Sequence, residues 1–223
     1  IHLSCDVVIN AAGSWSGHVA KLVGLDVPVQ PDRGTLVAFN HRITSRIINR
    51  LHPSSDGDIF VPHGSITILG TTSFHADRPD AHDVPTSDII KLLSIGEELI
   101  PNIKSFRILR AFAGTRPLFA GNSGPQGREV SRGFHISDHA EEGVEGMISI
   151  FGGKFTTYRL MAEKASDLVC KKLGVQAECR TADEPLIEAQ SPSLLESAKK
   201  YFPIHGIELA ANRLGTAFPI VVN

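Results

Sequence analysis

Lys154 stands behind two glycines and ahead of two threonines, in the run Ile148-Ser-Ile-Phe-Gly-Gly-Lys-Phe-Thr-Thr-Tyr-Arg159. An apolar strand that ends in two glycines and leads into a helix is expected to expose backbone N–H groups at the positive end of the helix dipole. Lys154 adds a point charge there. The combination favours an anion, either a phosphate or a flavin ring whose N1–O2 edge turns negative on reduction. The plain alternative is a Gly-rich helix entry with Lys154 in solvent. A second junction, Val7-Val-Ile-Asn-Ala-Ala-Gly-Ser-Trp15, closes a short apolar run with small residues. Small residues let another group approach the backbone, as a cofactor requires, but a tight strand-to-helix turn needs them equally.

Two arginines are candidates for the same anion. Arg116, in Gly114-Thr-Arg-Pro-Leu118, is expected just after a strand and before a proline that sets the next turn. Arg132, in Ser131-Arg-Gly133, is expected at the start of a later strand. The planar guanidinium suits bidentate phosphate or carboxylate binding, whereas an isolated arginine is usually a surface residue.

Other chemistries find little support. The chain has no Gly-x-Gly and hence no dinucleotide fingerprint, and Gly153-Lys154 is no P-loop, because Ile148 and Phe155 occupy positions that need Gly and Ser or Thr. His135-x-x-Asp138-His139 has the spacing of a metal pair, yet the acidic run around it reads as a solvated turn, so no metal is assigned. No Gly-x-Ser-x-Gly elbow is present. The three cysteines, Cys5, Cys170 and Cys179, are too scattered for a disulfide framework or zinc site. A formal charge of −2 over 223 residues lacks the footprint of a nucleic-acid binder. No apolar run reaches the roughly 20 residues of a membrane span.

The elements that must carry these residues alternate in texture. Residues 5–10 read as a buried parallel strand, followed by a helix carrying Val19, Leu22 and Val23 up to Gly24. Short runs at 35–39, 58–61 and 65–69, with a hairpin turn at His63-Gly64, predict an antiparallel sheet. A helix is expected over 86–100, strands over 105–112, 131–137 and 147–151, and the clearest helix over 156–173, ended by Gly174. The fold class expected is α/β, α+β overall. The absence of Met at residue 1 and the apolar run at the last residues suggest an internal fragment of a longer polypeptide.

Together these segments resemble the D-amino-acid-oxidase-like superfamily of FAD enzymes, and most nearly the catalytic chains of its quinone-linked glycerol-3-phosphate dehydrogenases of the anaerobic type. The resemblance rests on Val8-Ile-Asn-Ala-Ala-Gly-Ser-Trp15, Leu69-Gly-Thr-Thr72, Ala113-Gly-Thr-Arg-Pro-Leu118, Gly127-Arg-Glu-Val-Ser-Arg-Gly133 and Phe151-Gly-Gly-Lys-Phe-Thr-Thr-Tyr-Arg-Leu-Met-Ala-Glu163. It covers about residues 1–185.

The resemblance implies a Rossmann-like FAD domain interrupted by an antiparallel substrate domain. Residues 1–25 would then belong to the FAD domain, 26–112 to the substrate domain, 113–174 to the returning FAD domain, and 175–223 to a linker and the start of a C-terminal region. The FAD pyrophosphate fingerprint would lie upstream, outside this chain. The resemblance also places Ala12, Gly13, Gly152, Gly153, Lys154, Phe155 and Thr156 against FAD, and Arg116, Arg132 and Lys154 against glycerol 3-phosphate. Leu36 follows Arg33-Gly-Thr35 where aerobic relatives carry a histidine, so no catalytic base is assigned, and residues 188–223 receive no function. Companion electron-transfer and membrane-anchor subunits, and a cytoplasmic, peripheral place at the inner face of the cell membrane, are implied likewise. Two rival readings remain at this point: a related amine or amino-acid oxidase, and a catalytically inactive scaffold fragment.

Overall fold

In a computed structural model the protein is described at residues 2–51, 57, 59–119, 133–184, 196, 199 and 207. The elements follow in the order β1 (Val8–Asn10), α1 (Ser16–Lys21), β2 (Val29–Phe39), β3 (Ile48–Asn49), β4 (Ile59–His63), β5 (Ile66–Gly70), β6 (Phe74–His75), α2 (Thr86–Leu99), β7 (Ile108–Phe119), β8 (Phe134–Asp138), β9 (Met147–Gly152) and α3 (Tyr158–Leu173). The chain divides into units Ile1–Val175 and Gln176–Asn223. The second is described at few residues, among them a turn in which Arg180 Nη1 lies 3.0 Å from Glu184 Oε1.

Two sheets build the first unit. One has the order β1-β9-β8, with β1 and β9 parallel and in register Asn10↔Ser149. Five residues of β9, Met147 to Phe151, are buried without alternation, as suits a strand covered on both faces. The burial expected for β1 is not found: Val8 is 46% and Ile9 44% exposed. Among the described residues β1 has β9 on one side only, so it stands at an edge. The expected helix after it also shortens. A 3-10 turn occupies Gly13–Trp15 before α1, and Leu22 and Val23 fall beyond the helix, exposed.

The second sheet runs β3-β4-β5-β2-β6, with β7 along the other edge of β2. β4 and β5 join through Gly64, whose φ of +57° suits the tight turn read at His63-Gly64. β2 and β7 pair from Val29↔Phe119 to Phe39↔Ile108. β7 therefore runs on through Gly114 to Phe119, and Arg116 lies inside a strand instead of after one. Proline does not end it because Pro117 faces Pro31, and a non-hydrogen-bonded pair asks neither nitrogen for a proton. The boundary expected between Phe112 and Ala113 falls within this continuous strand. α2 covers one face of the sheet, where Val37, Phe39, Phe60, Leu69, Leu92 and Ile103 form a fully buried cluster.

A 3-10 turn, Phe155–Thr157, leads into α3, so the α-helix starts two residues later than the sequence suggests. Gly174 ends it in the left-handed conformation, φ +66°. Near that end Lys172 Nζ lies 2.8 Å from Asp138 Oδ1 on β8 and 3.3 Å from Glu145 Oε1, tying α3 to the small sheet. The Lys172 hydrogen bond, opposed by burial, holds the Asp138 carboxyl below its usual 3.8. A carboxyl lowered in the folded state adds stability above its unfolded value, about 3.9, and loses it as pH falls through the folded one. Lys172→Met should thus lower Tm at neutral pH, with the gap to wild type closing below about pH 4. Melting curves across that range check this, and a gap undiminished in acid contradicts it.

Candidate functional site

Both predicted junctions leave the same end of the small sheet. β1 and β9 are parallel neighbours, and open α/β sheets bind ligands past the carboxyl ends of such strands. Ala11 to Trp15 follow β1, and Gly153 to Thr157 follow β9. Ala11 and Tyr158 also line one largely apolar cavity of about 340 Å³, with Ile9, Ile150, Met161 and Ala165 among its other walls. Its size is within the range of small-molecule sites.

The first turn presents bare backbone. Ala11 is exposed, and Gly13, at φ +58°, has no atom within 4 Å of where a Cβ would stand. The turn is fixed from below: Asn10 Oδ1 accepts from the Ala12 N–H at 3.4 Å, and Asn10 Nδ2 donates to Ser16 O at 2.9 Å. Ser14 Oγ donates to the Thr115 carbonyl at 3.0 Å, which sets the turn beside the residue preceding Arg116.

The second junction differs from its expected form. Gly152 and Gly153 both have positive φ, +78° and +76°, and a Cβ on either would stand 2.6 Å from Gly133 O or Met161 Sδ. The glycines are required by protein packing. Nor is the Gly153 N–H available to an anion, since it donates to Gly133 O at 3.0 Å. The Lys154 N–H is taken by Thr157 Oγ1 at 3.0 Å. The Gly133 carbonyl, just before β8, and the Thr157 hydroxyl have thus claimed two of the donors that the spacing promised. The Lys154 side chain is exposed and in no ion pair among the described residues, with Phe155 (90% exposed) and Thr156 beside it.

Arg116 is no free cation either. Its Nη1 lies 2.6 Å from Oδ1 of Asp32, a carboxylate only 2% exposed, and its Nη2 donates to Thr71 Oγ1 at 2.9 Å. Ser73 Oγ donates to both Asp32 oxygens, at 2.9 and 2.8 Å. Gly34 makes room for this, because a Cβ there would stand 2.3 Å from Arg116 Nη2. The guanidinium is thus oriented and largely neutralised while its side chain stays 29% exposed. The residues fixing it, Asp32, Thr71 and Ser73, were not among the candidates. A buried acid in a Pro-Asp-Arg-Gly run was the available signal, since such a carboxylate needs a cation. Arg132 lies outside the described residues. His139, read as part of a solvated turn, is 1% exposed, and among the described residues no three His, Cys, Asp or Glu converge as a metal set would.

Asp32→Asn keeps the shape and removes the charge facing Arg116. It should destabilise by about 1–2 kcal/mol, less than a fully buried pair because Arg116 is partly solvated. Urea unfolding of both proteins measures this, and equal midpoints would show the pair to be energetically idle.

Comparison with known proteins gives the family of the chain. A family model described as FAD dependent oxidoreductase (DAO) matches residues 2–159. The A-subunit of the anaerobic glycerol-3-phosphate dehydrogenase of Escherichia coli (strain K12) is 46% identical over 194 residues, covering 86% of this chain and 36% of that protein. The A1-subunit of the enzyme of the same name from Haloferax volcanii is 38% identical over 226 residues, covering 99% of this chain and 39% of that protein. The chain therefore spans little more than a third of the length of these relatives. Among solved structures, glycine oxidase from Geobacillus kaustophilus superposes with a TM-score of 0.59 at 17% identity, over 85% of this chain and 47% of that one, a likeness of fold. Since the family match takes in the greater part of the sequence, both junctions and Arg116 included, the chain belongs to the FAD-dependent oxidoreductase (DAO) family.

Proposed function

We propose that this chain supplies the flavin-facing turns and substrate cations of a glycerol-3-phosphate dehydrogenase that oxidises sn-glycerol 3-phosphate to dihydroxyacetone phosphate and passes the electrons to a quinone. The observation that carries the reading is that Lys154, without an ion pair among the described residues, and the bare Ala11–Gly13 turn follow the carboxyl ends of neighbouring parallel strands, β9 and β1. The names of the relatives at 46% and 38% identity support it.

The residues present fit FAD. A flat ring system needs close approach to backbone, and Gly13 leaves open space where a side chain would stand. Ala12 and Gly13 from one junction, with Gly152 to Thr156 from the other, would hold it. When bound, FAD supplies the acceptor for the hydrogen and electron pair leaving C2 of the substrate.

The chain's own contribution is position and charge. Lys154, a compact cation with no protein partner among the described residues, is suited to the substrate phosphate. Arg116 contributes direction more than net charge, because Asp32 neutralises it and Thr71 aims it. Its exposed part is held still for a phosphate oxygen or a glycerol hydroxyl, and the order is set before substrate arrives. Arg132 is a third cation for the same group. The relatives are named as one subunit of their enzyme, which supports companion subunits; electron transfer through these, and a place at the inner face of the membrane, belong to the same proposal.

The full-length protein, loaded with FAD and kept free of oxygen, should lose its flavin absorbance on addition of glycerol 3-phosphate but not of glycerol or glycine. Bleaching by glycine instead would move the reading to amine oxidation. In the same protein Lys154→Ala should raise KM and lower kcat/KM at least about tenfold, the worth of one charge-assisted contact. An unchanged KM would remove Lys154 from the substrate.

A further inference from the structure

A buried file of polar groups runs from the surface to the first turn. His139 (1% exposed), Ser149 (0%) and Asn10 (3%) stand in line, with Glu142, half exposed, at the outer end. Glu142 Oε2 pairs with His139 Nδ1. His139 Nε2 lies 2.9 Å from Ser149 Oγ, and Asn10 Nδ2 lies 3.2 Å from the same oxygen. Carboxylate, imidazole and hydroxyl in this order resemble a hydrolytic triad. The hydroxyl is sealed from solvent and already bonded to Asn10, so it has no access to a substrate.

The protons of the file have one consistent arrangement. Ser16 O can only accept, so Asn10 Nδ2 must face it, and Asn10 Oδ1 must face the Ala12 N–H. Both Nδ2 protons are then used, one on Ser16 O and one on Ser149 Oγ. Ser149 keeps its own proton for His139 Nε2, which must be bare, and the ring proton sits on Nδ1 against Glu142. Without an acceptor at His139 the buried Ser149 proton would seek Asn10 Oδ1. The amide would have to turn, setting its oxygen against Ser16 O and its nitrogen against the Ala12 N–H.

We propose that His139 is a positioning residue for the cofactor: acting through Ser149 and Asn10, it locks both ends of the turn that carries Gly13. This rests on the reading that the turn faces FAD.

The test is FAD titration of the full-length apoprotein, with the apoprotein Tm recorded alongside. His139→Leu should raise the FAD Kd about tenfold, and His139→Gln, whose Oε1 can accept the Ser149 proton, should stay within about threefold of wild type. Adding Ser149→Ala to His139→Leu should recover most of the loss, because the stranded proton goes with the hydroxyl. A merely structural role lowers the apoprotein Tm in the single and double variants and leaves Kd alone. Nitrogen-15 NMR of histidine-labelled wild-type protein reads the tautomer whether or not His139→Leu folds; a proton on Nε2 overturns the proposal. So does additive loss in the double variant, or an unchanged Kd in His139→Leu. A wild-type protein that takes up no FAD removes the underlying reading as well.

Discussion

The parallel pairing of β1 with β9 joins segments 139 residues apart in the chain, and the site exists only where they meet. Between them the chain makes an excursion through the six-stranded sheet and returns along β7. The excursion returns because β2 and β7 pair over almost their whole length, and Ser14 ties the turn after β1 to the β7 carbonyl before Arg116. Closing so long a loop is entropically costly, and the cost is met by buried surface: all of β9 up to Phe151, and the apolar cluster under α2. The proposed site thus depends on a long-range contact that brings its two turns together.

The cations of the site have unlike roles. Arg116 sits in a cage of Asp32, Thr71 and the Thr72 carbonyl, so its direction is fixed and its charge largely spent within the protein. Lys154 has its charge but no such cage among the described residues, and its own N–H and that of Gly153 are committed elsewhere. On the proposed reading, one group would give geometry to an incoming anion and the other attraction. A guanidinium suits the first because its fork is rigid, an ammonium the second because it is a point charge on a flexible stem.

Much of this was legible in the sequence where the signal is local. β9 shows as an unbroken apolar run, α3 as a period closed by Gly174, and the β4–β5 turn as His63-Gly64. Signals of long range were not legible. Nothing near Arg116 announces a carboxylate 84 residues away, or that Pro117 would be met by another proline and so let the strand continue. The Gly152-Gly153 pair looked like an anion nest, but its Gly153 donor goes to the carbonyl of Gly133, just before β8. His139 looked solvated because acids surround it in sequence, while its ring points inward to Ser149. In each case local composition named the residue type correctly and tertiary pairing reassigned its bonds.

The most direct measurement is the structure of the full-length protein crystallised with FAD and glycerol 3-phosphate. The flavin ring should lie against Ala12–Gly13 and the loop after Gly152, with the substrate phosphate bonded to Lys154 and Arg116 still held by Asp32. A ring seated away from both turns, or a phosphate that leaves Lys154 in solvent, would contradict it.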